Sequence, residues 1–205
     1  MRVIGLTGGI ASGKSTVTQL LRQNHIPVLD ADAIAWQLAQ PEGALWQAYV
    51  ERYGCRVLLP DRQLNRQAVA DIVFSQPEEK QGMDGMAHPI IKKEIQKQLS
   101  AAAQAGAKLA VLDVPLLYEA GWDNMVDQVW LVYVNKEVQL QRLMARNGYS
   151  RQEALRRISA QMPLEEKRKK AQAVLDNNGT RQELEAMVMG LLDKQKEWQC
   201  DIQLK

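Results

Sequence analysis

The sequence predicts an α/β protein built on a doubly wound, parallel, five-stranded sheet. Three observations carry that expectation. Short apolar runs recur at residues 3–7, 109–114, 128–134 and 173–175, with a weaker fifth at 27–29. Their apolar residues are continuous rather than alternating, as befits strands covered by helices on both faces. Helical patterns lie between the runs, and strands alternating with helices build parallel βαβ units.

The first strand runs straight into "LTGGIASGKSTV", residues 6–17. Gly8-x-x-x-x-Gly13-Lys14-Ser15 matches the phosphate-loop pattern, with a strand before it and a helical pattern after it. Gly8, Gly9 and Gly13 let backbone amides wrap an anion, and the helix that follows adds free amides and a positive dipole end. Ala11, Ser12 and Thr16 complete the wall. Lys14 is expected on the β- and γ-phosphates, and the Ser15 hydroxyl on Mg²⁺. Ala11 fits without strain if its φ is negative. These residues predict a nucleoside triphosphate site.

The second strand ends in "VLDAD". Asp30 and Asp32 follow a strand's carboxyl end, where α/β sheets place ligands. A carboxylate there can accept a proton from an attacking hydroxyl or orient it for in-line transfer. Asp30 is read evenly between that role and capping the helix expected near Ala33; Asp32 is read as functional. Residues 41–104 are mostly helical in pattern and predict an inserted helical subdomain, of the kind that sits over the ligand crevice. The expected core is 1–40, 105–146 and 172–205.

The third strand ends on Asp113, placed to hold Mg²⁺ through water. The fourth leads into "VNKE", which resembles a guanine-recognition motif but carries Val138 where an aspartate is needed. Asp113 is followed three residues later by Leu116 rather than glycine, so a GTPase switch is not expected. Arg142 and Arg146, four apart, share a helix face and open a segment, 147–171, expected to form a lid. Guanidinium forks match the charge spread over a transferring phosphoryl group. The run "EEKRKK", 165–170, is read as a solvated face. Ser150 with Glu153, and Thr180 with Glu183, are capping boxes that start helices, and Pro163 is expected to break the helix begun near Arg151.

The chain's 205 residues are 46% apolar and 24% charged, and its net charge is +2. That balance argues against a duplex nucleic-acid partner, including through the basic stretch 151–170. Cys55 and Cys200 form no metal or disulfide spacing, which fits a reducing cytoplasm. No stretch approaches the roughly 20 apolar residues of a membrane helix, and the opening run is too short for a signal peptide. The expected partner is a small molecule, and the expected assembly a monomer or small homo-oligomer.

Taken together, "LTGGIASGKSTV", "VLDAD", "HP" at His88 and Pro89, "DVPLLYE" at 113–119, "QLQRLMAR" at 139–146 and "DNNG" at 176–179 resemble the dephospho-CoA kinase family over residues 1–192. The nearest alternative is a phosphotransferase like the nucleoside monophosphate kinases, whose acceptor motifs are not seen. The resemblance implies a P-loop kinase core with a helical CoA-binding insertion and a lid. It implies ATP- and Mg²⁺-dependent phosphorylation of the ribose 3′-hydroxyl of dephospho-CoA. It makes Asp32 the general base, places Arg142 on the phosphates with Arg146 secondary, and sets Asn178 and Gly179 beside the adenine. Asp32, His88, Asp113 and Leu116 fall on the acceptor side, and Thr7 falls there or against the loop backbone. Ala11 stands where the family often has glycine, and the tail 196–205, with Cys200, lies beyond the resemblance.

Overall fold

The computed structural model describes residues 1–75 and 77–203; for 73–75, 77, 78, 80 and 196–203 it describes the backbone alone. The tail's Cys200 therefore lies outside the described side chains. The described chain forms two compact units. One comprises Met1–Val28 and Ala107–Lys205, the other Leu29–Gly106. The second unit begins at the end of the second strand, ahead of residue 41 where the composition changes.

All five expected strands form: β1 (Arg2–Gly8), β2 (Val28–Asp30), β3 (Leu109–Asp113), β4 (Gln128–Tyr133) and β5 (Ala173–Asp176). Their order is β2-β3-β1-β4-β5, all parallel. β1 is central: Leu6 pairs with Asp113 of β3 on one side and with Trp130 of β4 on the other. This register brings the carboxyl ends of β1 and β3 level, where the glycine turn and Asp113 leave the sheet.

The strands are apolar throughout because both faces are covered. Ile4, Leu6, Val111, Trp130, Val132 and Leu175 pack against Val17, Leu20 and Leu21 of α1 (Lys14–Gln23) and Leu184, Val188 and Leu192 of α9 (Arg181–Gln203). The alternate residues Leu131 and Tyr133 meet Leu164 on the other face. Burial of each such side chain is worth about 1.5–3 kcal/mol. The buried residues of α1 recur at three- and four-residue spacing, one helical stripe facing the sheet.

The second unit holds α2 (Ala31–Leu38), α3 (Ala44–Tyr53), α4 (Arg66–Ser75) and the long α5 (Pro77–Gln104), with Pro89 inside α5. Tyr53, Val57 and Met83 form a core of their own there. Asp30 is the N-cap of α2, accepting from the Ala33 amide at 3.0 Å. Asp30 thus serves as a cap, and the helix starts at Ala31.

The remaining helices are α6 (Lys136–Asn147), α7 (Arg151–Ser159) and α8 (Leu164–Lys170), all in the first unit. Asn135 caps α6 and Ser150 caps α7. Pro163 does not break α7, which ends four residues earlier at Ser159. It occupies the N-cap of α8, where its missing amide costs no helical hydrogen bond.

Candidate active site

The turn after β1 is shaped by close approach. Gly13 has φ +90°, and a Cβ on it would run into the Asn177 amide nitrogen. It is the N-cap of α1 with no capping side chain, so the first-turn amides have no side-chain acceptor and point toward where an anion would sit. Ala11 also lies in the left-handed region, at φ +59°. The condition for an unstrained methyl there is therefore not met, and the loop holds Ala11 at a cost of about 1–2 kcal/mol.

Lys14 reaches across to β3 and pairs with Asp113 through Nζ and Oδ1. Asp113 is 2% exposed, and its other oxygen accepts from Thr18 Oγ1 at 2.7 Å. Both carboxylate oxygens are thus engaged by the loop's lysine and its helix. Ser15 lies at the exposed mouth, with no hydrogen-bond partner for its hydroxyl among the described residues. No group of three or more His, Cys, Asp or Glu that could hold a metal occurs among the described residues. A divalent cation here would share its shell with phosphate oxygens and water.

Long-range side chains hold the loop in place. The Ile10 amide donates to Gln161 Oε1, and the Ile10 carbonyl accepts from Gln139 Nε2, both at 2.8 Å. Ile10 and Ala11 pack on Leu140 and Leu143 of α6 and Ala154 of α7. On the other flank Asn177 Nδ2 donates to the Ser12 carbonyl at 2.8 Å. Gln139, Gln161 and Asn177 are absent from the sequence-based site. Asn178 lies beside Asn177, but its Oδ1 accepts from the Asn135 amide at 2.9 Å and its Nδ2 donates to Asp176, tying the ends of β4 and β5 together. Gly179 follows at the exposed start of the turn into α9.

A second network lies behind the loop. Thr7 is fully buried and donates to the Pro115 carbonyl at 3.0 Å, so its hydroxyl supports backbone and is shielded from any acceptor. The same carbonyl accepts from Lys167 Nζ at 3.0 Å, and Lys167 also pairs with Glu119 at 2.9 Å. Glu119 in turn accepts from the Met162 amide. The run 165–170 is thus not a solvated face throughout: Lys167 is 0% exposed, and burial pulls its ammonium below the usual lysine range against the opposing pull of Glu119. Leu164, three residues earlier and also buried, was the signal that one face of this helix turns inward. Leu116, in the same loop, points outward at 43% exposure.

The arginines sort by partner. Arg151 pairs with Glu137, Arg156 and Arg157 with Glu153, and Arg146 donates to Asn147. Arg142, half-buried on α6, has no hydrogen bond or ion pair among the described residues. That leaves its guanidinium available to a ligand.

In the second unit Asp32 sits in the first turn of α2 and lines a cavity of about 310 Å³ with Trp36, Tyr49, Gln63 and Arg66. His88 on α5 is half-buried, 4.0 Å from Asp84, and is not among the residues lining that cavity.

The family model for dephospho-CoA kinase matches residues 2–183. The chain belongs to the dephospho-CoA kinase family. It is 46% identical to the dephospho-CoA kinase of Symbiobacterium thermophilum over 92% of this chain and 79% of that one. The dephospho-CoA kinase of Carboxydothermus hydrogenoformans is 44% identical, covering 95% and 94%. Among solved structures, a Thermus thermophilus protein superposes with TM-score 0.80 at 39% identity, covering 94% of this chain and 97% of that one. Dephospho-CoA kinase from Campylobacter jejuni gives TM-score 0.71 at 26% identity, covering 95% and 97%. No helix among the described residues is long and apolar enough to cross a membrane.

Proposed function

We propose that this protein transfers the γ-phosphoryl group of ATP to the 3′-hydroxyl of the dephospho-CoA ribose, yielding coenzyme A and ADP. The observation that carries this reading is the phosphate loop of a dephospho-CoA kinase family member, complete to its lysine, with Lys14 resting on Asp113.

In this reading the loop amides and Lys14 take the β- and γ-phosphates, and Lys14 exchanges Asp113 for phosphate oxygen when the nucleotide enters. Arg142 meets the charge that builds on the equatorial oxygens. Asn178 and Gly179 border the adenine. The residues at the loop fit Mg²⁺: Ser15 offers a free hydroxyl as direct ligand, and Asp113, its oxygens already bonded to Lys14 and Thr18, acts through water. An ion held there would neutralise phosphate charge and fix the donor's orientation. Asp32 accepts the proton of the ribose hydroxyl as it attacks phosphorus in line, and the ADP oxygen leaves. Segment 147–171 serves as the lid that keeps water from the γ-phosphate.

The test is coupled ADP release with Mg·ATP, comparing dephospho-CoA with AMP, CMP and no acceptor. Turnover confined to dephospho-CoA, with coenzyme A as product, is expected. Turnover with a nucleoside monophosphate in its place overturns the acceptor.

A further inference from the structure

The cavity of the second unit has a composition that the phosphoryl chemistry does not require. Trp36 keeps 53% of its surface exposed, more than Met1, Leu59 or Leu116. An indole left open to water inside a cavity forfeits burial that folding would otherwise gain, unless something covers it. Arg66, on the cavity's rim, is exposed and has no ion pair or hydrogen bond among the described residues. The volume, about 310 Å³, lies at the lower end of small-molecule sites. It suits a nucleoside better than the whole of a long-tailed acceptor.

Geometry selects which part of the acceptor enters. Asp32 and Trp36 are four residues apart on α2, so they share one face, one turn of ~5.4 Å apart. A hydroxyl held at Asp32 belongs to a ribose, and the purine is carried on the same ring. A base so placed falls over the residue one turn along. Every purine has an apolar π-face for an indole, whereas a flexible amide-linked arm has none. The Arg66 cation on the rim suits the diphosphate that the nucleoside bears.

We propose that Trp36 is the stacking platform for the acceptor's purine and so determines acceptor specificity. This rests on the reading of Asp32 and dephospho-CoA above. The test is steady-state kinetics at saturating Mg·ATP for Trp36→Ala and Trp36→Phe, with AMP as inhibitor competing against dephospho-CoA. In Trp36→Ala the KM for dephospho-CoA and the inhibition constant of AMP should rise together, ~5- to 160-fold, the range that base–aromatic stacking spans on alanine substitution. The KM for ATP should not move, and Trp36→Phe should recover most of the loss. A KM that rises while AMP inhibition is unchanged overturns the proposal, because Trp36 would then touch the acceptor's arm. Unchanged KM and AMP inhibition in Trp36→Ala, in an enzyme that turns over dephospho-CoA, also overturn it. Absence of wild-type turnover with dephospho-CoA would instead overturn the acceptor reading on which it rests.

Discussion

Gln161 accepts a hydrogen bond from the Ile10 amide at 2.8 Å, across 151 residues of chain. One residue of the phosphate loop is therefore held at its amide by a side chain from the connection between α7 and α8, while Gln139 holds its carbonyl from α6. The neighbouring Met162 amide is fixed by Glu119 at 3.0 Å, so this connection is tied down at consecutive residues.

Gln161→Leu should weaken ATP binding ~5-fold, the worth of one hydrogen bond of about 1 kcal/mol. Titration calorimetry checks it. Gln139→Leu acts on the same residue, so the double variant should lose less than the sum of the single losses. Tighter ATP binding in Gln161→Leu would mean that the bond restrains the loop against the nucleotide.

Asp32→Asn should lower kcat by ~10² or more while ATP still binds, in the range of general-base losses. Near-normal kcat would remove Asp32 from the chemistry. Lys14→Ala should abolish most transfer through kcat/KM, since it removes the only side-chain cation expected within the loop itself.

Lys167→Met should destabilise the protein by about 2 kcal/mol or more, because it leaves the half-buried Glu119 without its counter-charge and removes one of the two donors to the Pro115 carbonyl. Urea denaturation measures it. An unchanged midpoint would show that water replaces the ammonium without loss.

Ala11→Gly should raise stability by about 1 kcal/mol, since glycine adopts φ +59° without a Cβ penalty. Thermal unfolding of the nucleotide-free protein is the readout, and a lowered Tm would show that the methyl's packing on α6 outweighs the strain.

Acid should loosen the start of α9. Glu183 accepts from the Thr180 amide and hydroxyl, and these bonds hold its carboxyl below the ordinary value of 4.5. A folded pKa below the unfolded one stabilises fully above pH 4.5 and loses that contribution as pH falls through the folded value. Glu183→Gln should flatten this acid slope, seen by circular dichroism between pH 5 and ~2.

Much of the fold was legible because its signals are local. Five apolar runs, two capping boxes and the Gly13-Lys14-Ser15 turn each sit within a few consecutive residues, and each forms. Arg142 could be singled out by its helix position, yet only the structure shows that its neighbours spend their charge on Glu137 and Glu153. Gln139 and Asn177 fall inside quoted motifs, yet neither they nor Gln161 could be assigned to the loop, since a neutral amide has no characteristic spacing and their partners lie 129 to 165 residues away. Lys167 was hidden by composition: a basic run averages over its members, and only the helical phase relative to Leu164 tells which one turns inward. The sign of the Ala11 φ was not legible, because loop φ values follow from closure by distant anchors.

The Asn177–Ser12 bond also bears on the order of events during synthesis. The glycine turn leaves the ribosome well before β3, and β1 has no strand partner until Leu109–Asp113 is made. The flank of the turn stays unsupported until Asn177 emerges, 165 residues after Ser12. The Leu29–Gly106 unit, with its own apolar centre, can assemble meanwhile. A nascent chain of this protein should therefore gain affinity for nucleotide only once Asn177 has emerged, which keeps shorter nascent chains from sequestering ATP.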